Sequence, residues 1–110
     1  MAEHVLAGGS LHSPHLLDVE VASALRRFVR TGALSTARAR QGLDVFAQLG
    51  ITRHAPRVLL GRIWALRDSL SAYDASYVAL AEALEAPLVT TDDRLARSTG
   101  HRAAIVGFAC

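Results

Sequence analysis

A chain of 110 residues with 12 basic side chains, all of them arginine, against 10 acidic ones carries a formal charge of +2 and is sized for one domain. It contains no run of about 18 uncharged apolar residues, which argues against a membrane-spanning helix, and its start lacks the basic and apolar segments of an export signal. The lone cysteine, Cys110, closes no internal disulfide and supplies no zinc spacing, so a reducing cytoplasm is the expected setting.

Met1 to Ala7 reads as the tail of a helix stopped by Gly8-Gly9. After Ser13-Pro14, Leu17, Val21, Leu25 and Phe28 recur at helical spacing over Leu16 to Val29, with Glu20 in or near the first turn. Ser35 caps a second helix that runs to Leu49 on Leu43, Phe46 and Leu49, and a very short strand follows around Gly50 to Arg53. Pro56 marks the entry to a third helix, Arg57 to Leu70, with Leu59, Ile63, Leu66 and Leu70 inward and Trp64 on its flank. A fourth helix opens at Ser71 and buries Tyr77, Val78, Ala81 and Leu84. Leu88 to Thr90 is then a buried strand, Asp92 to Arg97 a short helical segment broken by Gly100, and Ala103 to Phe108 a last strand. Helices alternating with brief apolar strands define a small three-layer α/β/α domain around a parallel sheet.

Asp92, at the C-terminal end of a strand where such a sheet binds ligands, and Asp74, in the first turn of the fourth helix, are expected to share one cleft, and Glu20, in or near the first turn of its own helix, can point into it. Asp93 is an adjacent fourth. Carboxylates crowded into one site repel each other, and a hard divalent cation such as magnesium or manganese relieves that repulsion while activating water against a phosphodiester. Thr90 and Thr91 could hold a carboxylate or donate to phosphate. The structural alternatives are equally concrete: Ser71 and Asp74 have capping-box spacing, Asp92 can cap the helix after it, and Glu20 can face solvent near a helix start. His4, His12 and His15 cluster loosely, but a zinc site there lacks a fourth ligand. Ser71 and Ser76 sit on a helix, which leaves a serine triad unsupported. Arg26, Arg27, Arg30, Arg38 and Arg40 form a basic interval that suits RNA phosphates or an ordinary charged surface.

The segments Ser13 to Arg27, Leu70 to Ala81 and Pro87 to Ala96, in this order and spacing, closely resemble the PIN-domain ribonucleases, in particular the VapC toxins of bacterial type II toxin–antitoxin modules. The resemblance implies a magnesium- or manganese-dependent endoribonuclease, a homodimer or toxin–antitoxin hetero-oligomer, inhibited by a cognate antitoxin whose C-terminal segment occupies the active-site groove. It assigns the metal-binding and catalytic roles to Glu20, Asp74 and Asp92, makes Asp93 an accessory ligand candidate, and places Thr90 as the hydroxyl residue two before the strand-end aspartate.

One departure is large. Family members begin with a strand ending in aspartate that lies in the middle of the sheet, and this sequence has no counterpart to it. The expectation is therefore an N-terminally truncated or shortened domain, with a gap between neighbouring strands and a weakened carboxylate site. Two other functions follow from the same residues: a catalytically impaired remnant that binds an antitoxin or RNA, and a PIN-like DNA nuclease.

Overall fold

The computed structural model describes residues 4–7, 10–90 and 92–107, the first of these stretches by its backbone. Five strands form one sheet in the order β3-β2-β1-β4-β5, with β1 His4–Ala7, β2 Ser10–Pro14, β3 Ile51–His54, β4 Leu88–Thr90 and β5 Ile105–Gly107. Pairs β2–β3 and β4–β5 are parallel, with Leu11 opposite Ile51 and Leu88 opposite Ile105. Between them β1 runs antiparallel to both neighbours, Val5 facing His12 on one side and Leu88 on the other. Helices α1 Leu16–Arg30 and α2 Thr36–Gln48 pack on each other, as do α3 Leu60–Ala65 and α4 Ala72–Leu84, and α5 Asp93–Ala96 packs against β5.

The N-terminal reading is corrected by this topology. His4–Ala7 is a strand, not a helix tail, and it occupies the central place where the resemblance predicted a gap. Four residues before a glycine pair carry too little periodicity to separate strand from helix, and backbone groups on both flanking strands decide the matter. Strand β2 was not anticipated either, because Ser10-Leu11-His12-Ser13-Pro14 has no β-branched residue; pairing on both sides imposes its conformation. Pro14 is tolerated as its last residue.

The third helix is shorter than expected. Pro56–Leu59 forms a 3-10 turn, α3 follows, and the chain leaves the helix at Leu66, whose amide is shared between the carbonyls of Arg62 and Ile63. Asp68 and Ser69, residues that favour turns over helix interiors, then lead into the Ser71 cap. Trp64 stays 67% exposed with the Arg67 guanidinium 4.7 Å from its ring, so it is not a core residue.

Helix α4 is the buried element: every residue from Ala75 to Ala81 is inaccessible. Its Tyr77, Val78, Leu80 and Ala81 join Leu66, Leu88 and Leu95 in one apolar cluster. Small alanines at 75, 79 and 81 let neighbouring backbones approach closely, while Tyr77, Val78 and Leu80 fill the remaining volume.

Glu82, next after Ala81 on α4, accepts hydrogen bonds from Arg62 Nε at 2.6 Å, Arg62 Nη2 at 2.9 Å and the Arg102 amide at 2.6 Å. These donors, Arg62 first, pull its carboxyl down to about 2. A depressed carboxyl stabilises the fold above its ordinary value and loses that contribution as pH falls through the folded value, here between about 4.5 and 2. On β2 and β3, His12 Nδ1 lies 2.9 Å from His54 Nε2, and burial first, then the charge of His12 and His15, lowers the His54 value. Protonating His54 is therefore opposed in the fold, and stability declines as pH drops below its ordinary value of 6.5. Chemical denaturation across pH should show two separate losses. Glu82→Gln should remove the lower one and lower stability at neutral pH by about 1–2 kcal/mol, and His54→Gln should flatten the upper one.

Candidate nuclease site

The sequence-predicted carboxylates come from three elements. Asp74 sits in the first turn of α4, where its amide donates to Ser71 Oγ at 3.1 Å, so the predicted cap is present. Glu20 lies on α1, half-buried, and its Oε1 accepts a hydrogen bond from the Tyr77 hydroxyl. Tyr77 is three residues beyond Asp74 and therefore on the same side of α4, so the two carboxylates are referred to a single helix. Asp92 follows β4; its amide donates to the buried Thr90 Oγ1 at 3.0 Å. The Asp92 Oδ1 accepts from the amides of Arg94 at 2.9 Å and Leu95 at 3.3 Å, making it the cap of α5. Asp93 is exposed in the first turn of that helix. Thr91 lies outside the described residues.

Two neighbours of this set were read only as structural. Tyr77 belongs to the apolar stripe of α4, yet its hydroxyl is what anchors Glu20; a tyrosine on a helix otherwise lined by alanine, valine and leucine is the signal, because a buried phenol seeks a partner. Arg53 binds Asp18 through Nε at 2.8 Å and 2.9 Å and through Nη2 at 2.8 Å, which ties β3 to α1 two residues before Glu20. That pairing raises the Arg53 value.

The donor set is chemically suited to a hard divalent ion, since every side chain offered is a carboxylate or hydroxyl oxygen. Among the described residues, however, no three histidine, cysteine, aspartate or glutamate side chains come together closely enough to hold a metal ion. Strand β1 brings no carboxylate to the middle of the sheet, its sequence being His4-Val5-Leu6-Ala7. The basic interval divides: Arg26, Arg30 and Arg40 border a cleft of about 400 Å³ between α1 and α2, floored by Leu25, Val29 and Leu43, and Arg40 also pairs with Asp44 at 3.2 Å.

Residues 2–100 match the PIN domain family. The chain is 50% identical over 94 residues to the VapC ribonuclease Mb0985 of Mycobacterium bovis, an overlap of 86% of this chain and 74% of the relative. It is 48% identical over 91 residues to ribonuclease VapC1 of Mycobacterium tuberculosis, covering 81% and 68% respectively, and 40% identical over 103 residues to ribonuclease VapC12 of the same species, covering 91% and 78%. The chain thus belongs to the PIN-domain family, among its VapC ribonucleases. No helix among the described residues is long and apolar enough to cross a membrane.

Replacing Tyr77 by phenylalanine should lower the unfolding free energy by about 1 kcal/mol, because the half-buried Glu20 carboxylate loses the donor that the buried phenol supplies. The same change at Tyr73, 65% exposed on the same helix, should leave the melting curve in place.

Proposed function

We propose that this chain is a divalent-metal-dependent endoribonuclease, the toxin of a toxin–antitoxin pair, acting in the cytoplasm on single-stranded RNA. The observation that carries the reading is the convergence on α4 of Asp74 and, through the Tyr77 hydroxyl, Glu20, in a chain whose relatives are named VapC ribonucleases. Asp92, next to the buried Thr90 at the end of β4, is the third carboxylate of the proposed site, and Asp93 an accessory one. A magnesium or manganese ion held by these residues would supply an activated water and counter the charge that develops on the phosphodiester. Magnesium commonly binds through one or two carboxylates and completes its shell with water and substrate phosphate, which suits a site whose acids are not gathered beforehand.

In this reading α4 fixes the direction of Asp74 by its cap and by burial on all sides, and Tyr77 holds Glu20 by one oxygen, leaving the other for an ion. Asp92 uses Oδ1 on the α5 amides and keeps Oδ2 for the same purpose. The apolar cleft between α1 and α2, rimmed by arginines, suits an acidic amphipathic segment of the antitoxin, and the active unit is a homodimer or a toxin–antitoxin assembly.

A second reading is favoured by one observation. The absence of a three-carboxylate cluster among the described residues fits a catalytically impaired PIN domain that still binds antitoxin or RNA. A PIN-like DNA nuclease is the third.

Cleavage of matched RNA and DNA oligonucleotides in manganese decides among them. Asparagine caps helices as well as aspartate does, so Asp92→Asn should shift stability by only a few tenths of a kcal/mol. The same variant should cut RNA at least about 100-fold more slowly if Asp92 serves the ion, as should Asp74→Asn. Wild-type protein that folds but leaves RNA intact in manganese would establish the impaired domain instead, and preferential cutting of DNA the third reading.

A further inference from the structure

Between the N-terminus of α4 and the turn after α5 lies a cleft of about 430 Å³, walled by Ser69, Ser71, Asp74, Arg94, Arg97 and Thr99. Asp74 is its one member from the carboxylate set described above. Arg94 and Arg97 are exposed and have no carboxylate partner among the described residues, whereas Arg53 and Arg62 are both locked in ion pairs. Two unneutralised guanidinium groups thus share a concavity with hydroxyls and with the positive end of a 13-residue helix.

The turn that follows α5 and carries Arg97 is held against the turn before α4. Gly100 has a φ of 88°, and a Cβ on it would stand 2.8 Å from Ser69 Oγ, so only glycine lets the backbone lie this close. Ser98 donates its one hydroxyl hydrogen to the Leu95 carbonyl at 2.6 Å and therefore accepts from His101 Nε2 at 2.8 Å. That leaves His101 Nδ1 as a buried acceptor without a partner among the described residues. Ser98 and His101 consequently shape the turn and offer no nucleophile–base pair, since the serine hydrogen points away from the imidazole.

We propose that this cleft is a phosphate subsite for the RNA backbone. It seats a phosphodiester neighbouring the one presented to Asp74, with Arg94 and Arg97 as its charged contacts and Ser69, Ser71 and Thr99 as neutral donors. Guanidinium forks match phosphate oxygens, and such contacts fix where a strand lies without reading its bases. The assignment rests on the ribonuclease reading for the identity of the strand, but its own test needs no catalysis.

That test is the salt dependence of binding of the full chain to a fluorescent single-stranded RNA, measured by anisotropy in EDTA. Each lost phosphate contact lowers the slope of log affinity against log salt by about 0.7 for single strands, so Arg94→Ala with Arg97→Ala should lower it by about 1.4 and weaken binding about tenfold at low salt. Lysine at both positions should restore the slope, an abasic strand of the same length should bind alike, and Arg57→Ala with Arg67→Ala, which removes equal charge from exposed positions outside the cleft, should leave the slope unchanged. Melting curves should coincide, because neither arginine side chain is buried. An unchanged slope in the Arg94→Ala, Arg97→Ala variant overturns the proposal, as does an equal loss in the Arg57→Ala, Arg67→Ala variant, which would mean diffuse attraction. Wild-type chain that does not bind RNA, with the alanine pair abolishing binding of a protein partner instead, also overturns it. If wild type binds with the predicted slopes and fails to cut in manganese, the subsite stands and the ribonuclease reading falls; if it cuts and the slopes do not move, the reverse holds.

Discussion

The complete burial of α4 from Ala75 to Ala81 is the constraint on which the remaining geometry depends. A helix enclosed on all sides cannot rotate or slide without opening cavities, and replacing a residue such as Leu80 by alanine would cost about 2–5 kcal/mol. Its first turn therefore points Asp74 in a fixed direction, and its Tyr77 hydroxyl reaches α1 to take hold of Glu20. The same rigidity extends downward through Glu82, whose carboxylate gathers Arg62 of α3 and the Arg102 amide before β5. One helix thus connects the proposed reacting end of the sheet to the opposite end.

The sheet shows a different principle. Unpaired strand edges in the middle of a sheet are costly, and here β2 and β4 are joined by His4–Ala7 running against both of them. Backbone hydrogen bonding is satisfied by this arrangement whatever the direction of the inserted strand. The chemistry is not: a strand of sequence His-Val-Leu-Ala adds no carboxylate to the candidate set Glu20, Asp74 and Asp92. Fold and activity therefore place separate demands on the same position in the sheet.

Much of the fold could be read from the residues because local signals agreed with tertiary ones. Ser35 and Ser71 are the caps of α2 and α4, the Leu88–Thr90 strand has the expected bounds, and Asp92 follows β4 and caps α5. What escaped the sequence was set by distant partners. Strands β1 and β2 have weak propensity and exist through pairing; α3 ends early where Asp68 and Ser69 turn the chain. In the site, the positions of Asp74 and Asp92 were legible from helix and strand ends. The partner of Tyr77 was not: a buried phenol signals that its hydroxyl is bonded, but only the fold brings Glu20 of α1 to it. The histidines were legible only as a loose group; it is the register of β2 on β3 that sets His12 against His54.

In the proposed function Glu20, Asp74 and Asp92 act on one divalent ion near the start of α4. Manganese is paramagnetic, so titrating it into isotope-labelled protein and following amide signals tests that claim directly. Selective broadening of residues around Glu20, Asp74 and Asp92, lost in Asp74→Asn, is the predicted result. Broadening centred on His12, His15 and His54, or none at all in protein that remains folded, would contradict it.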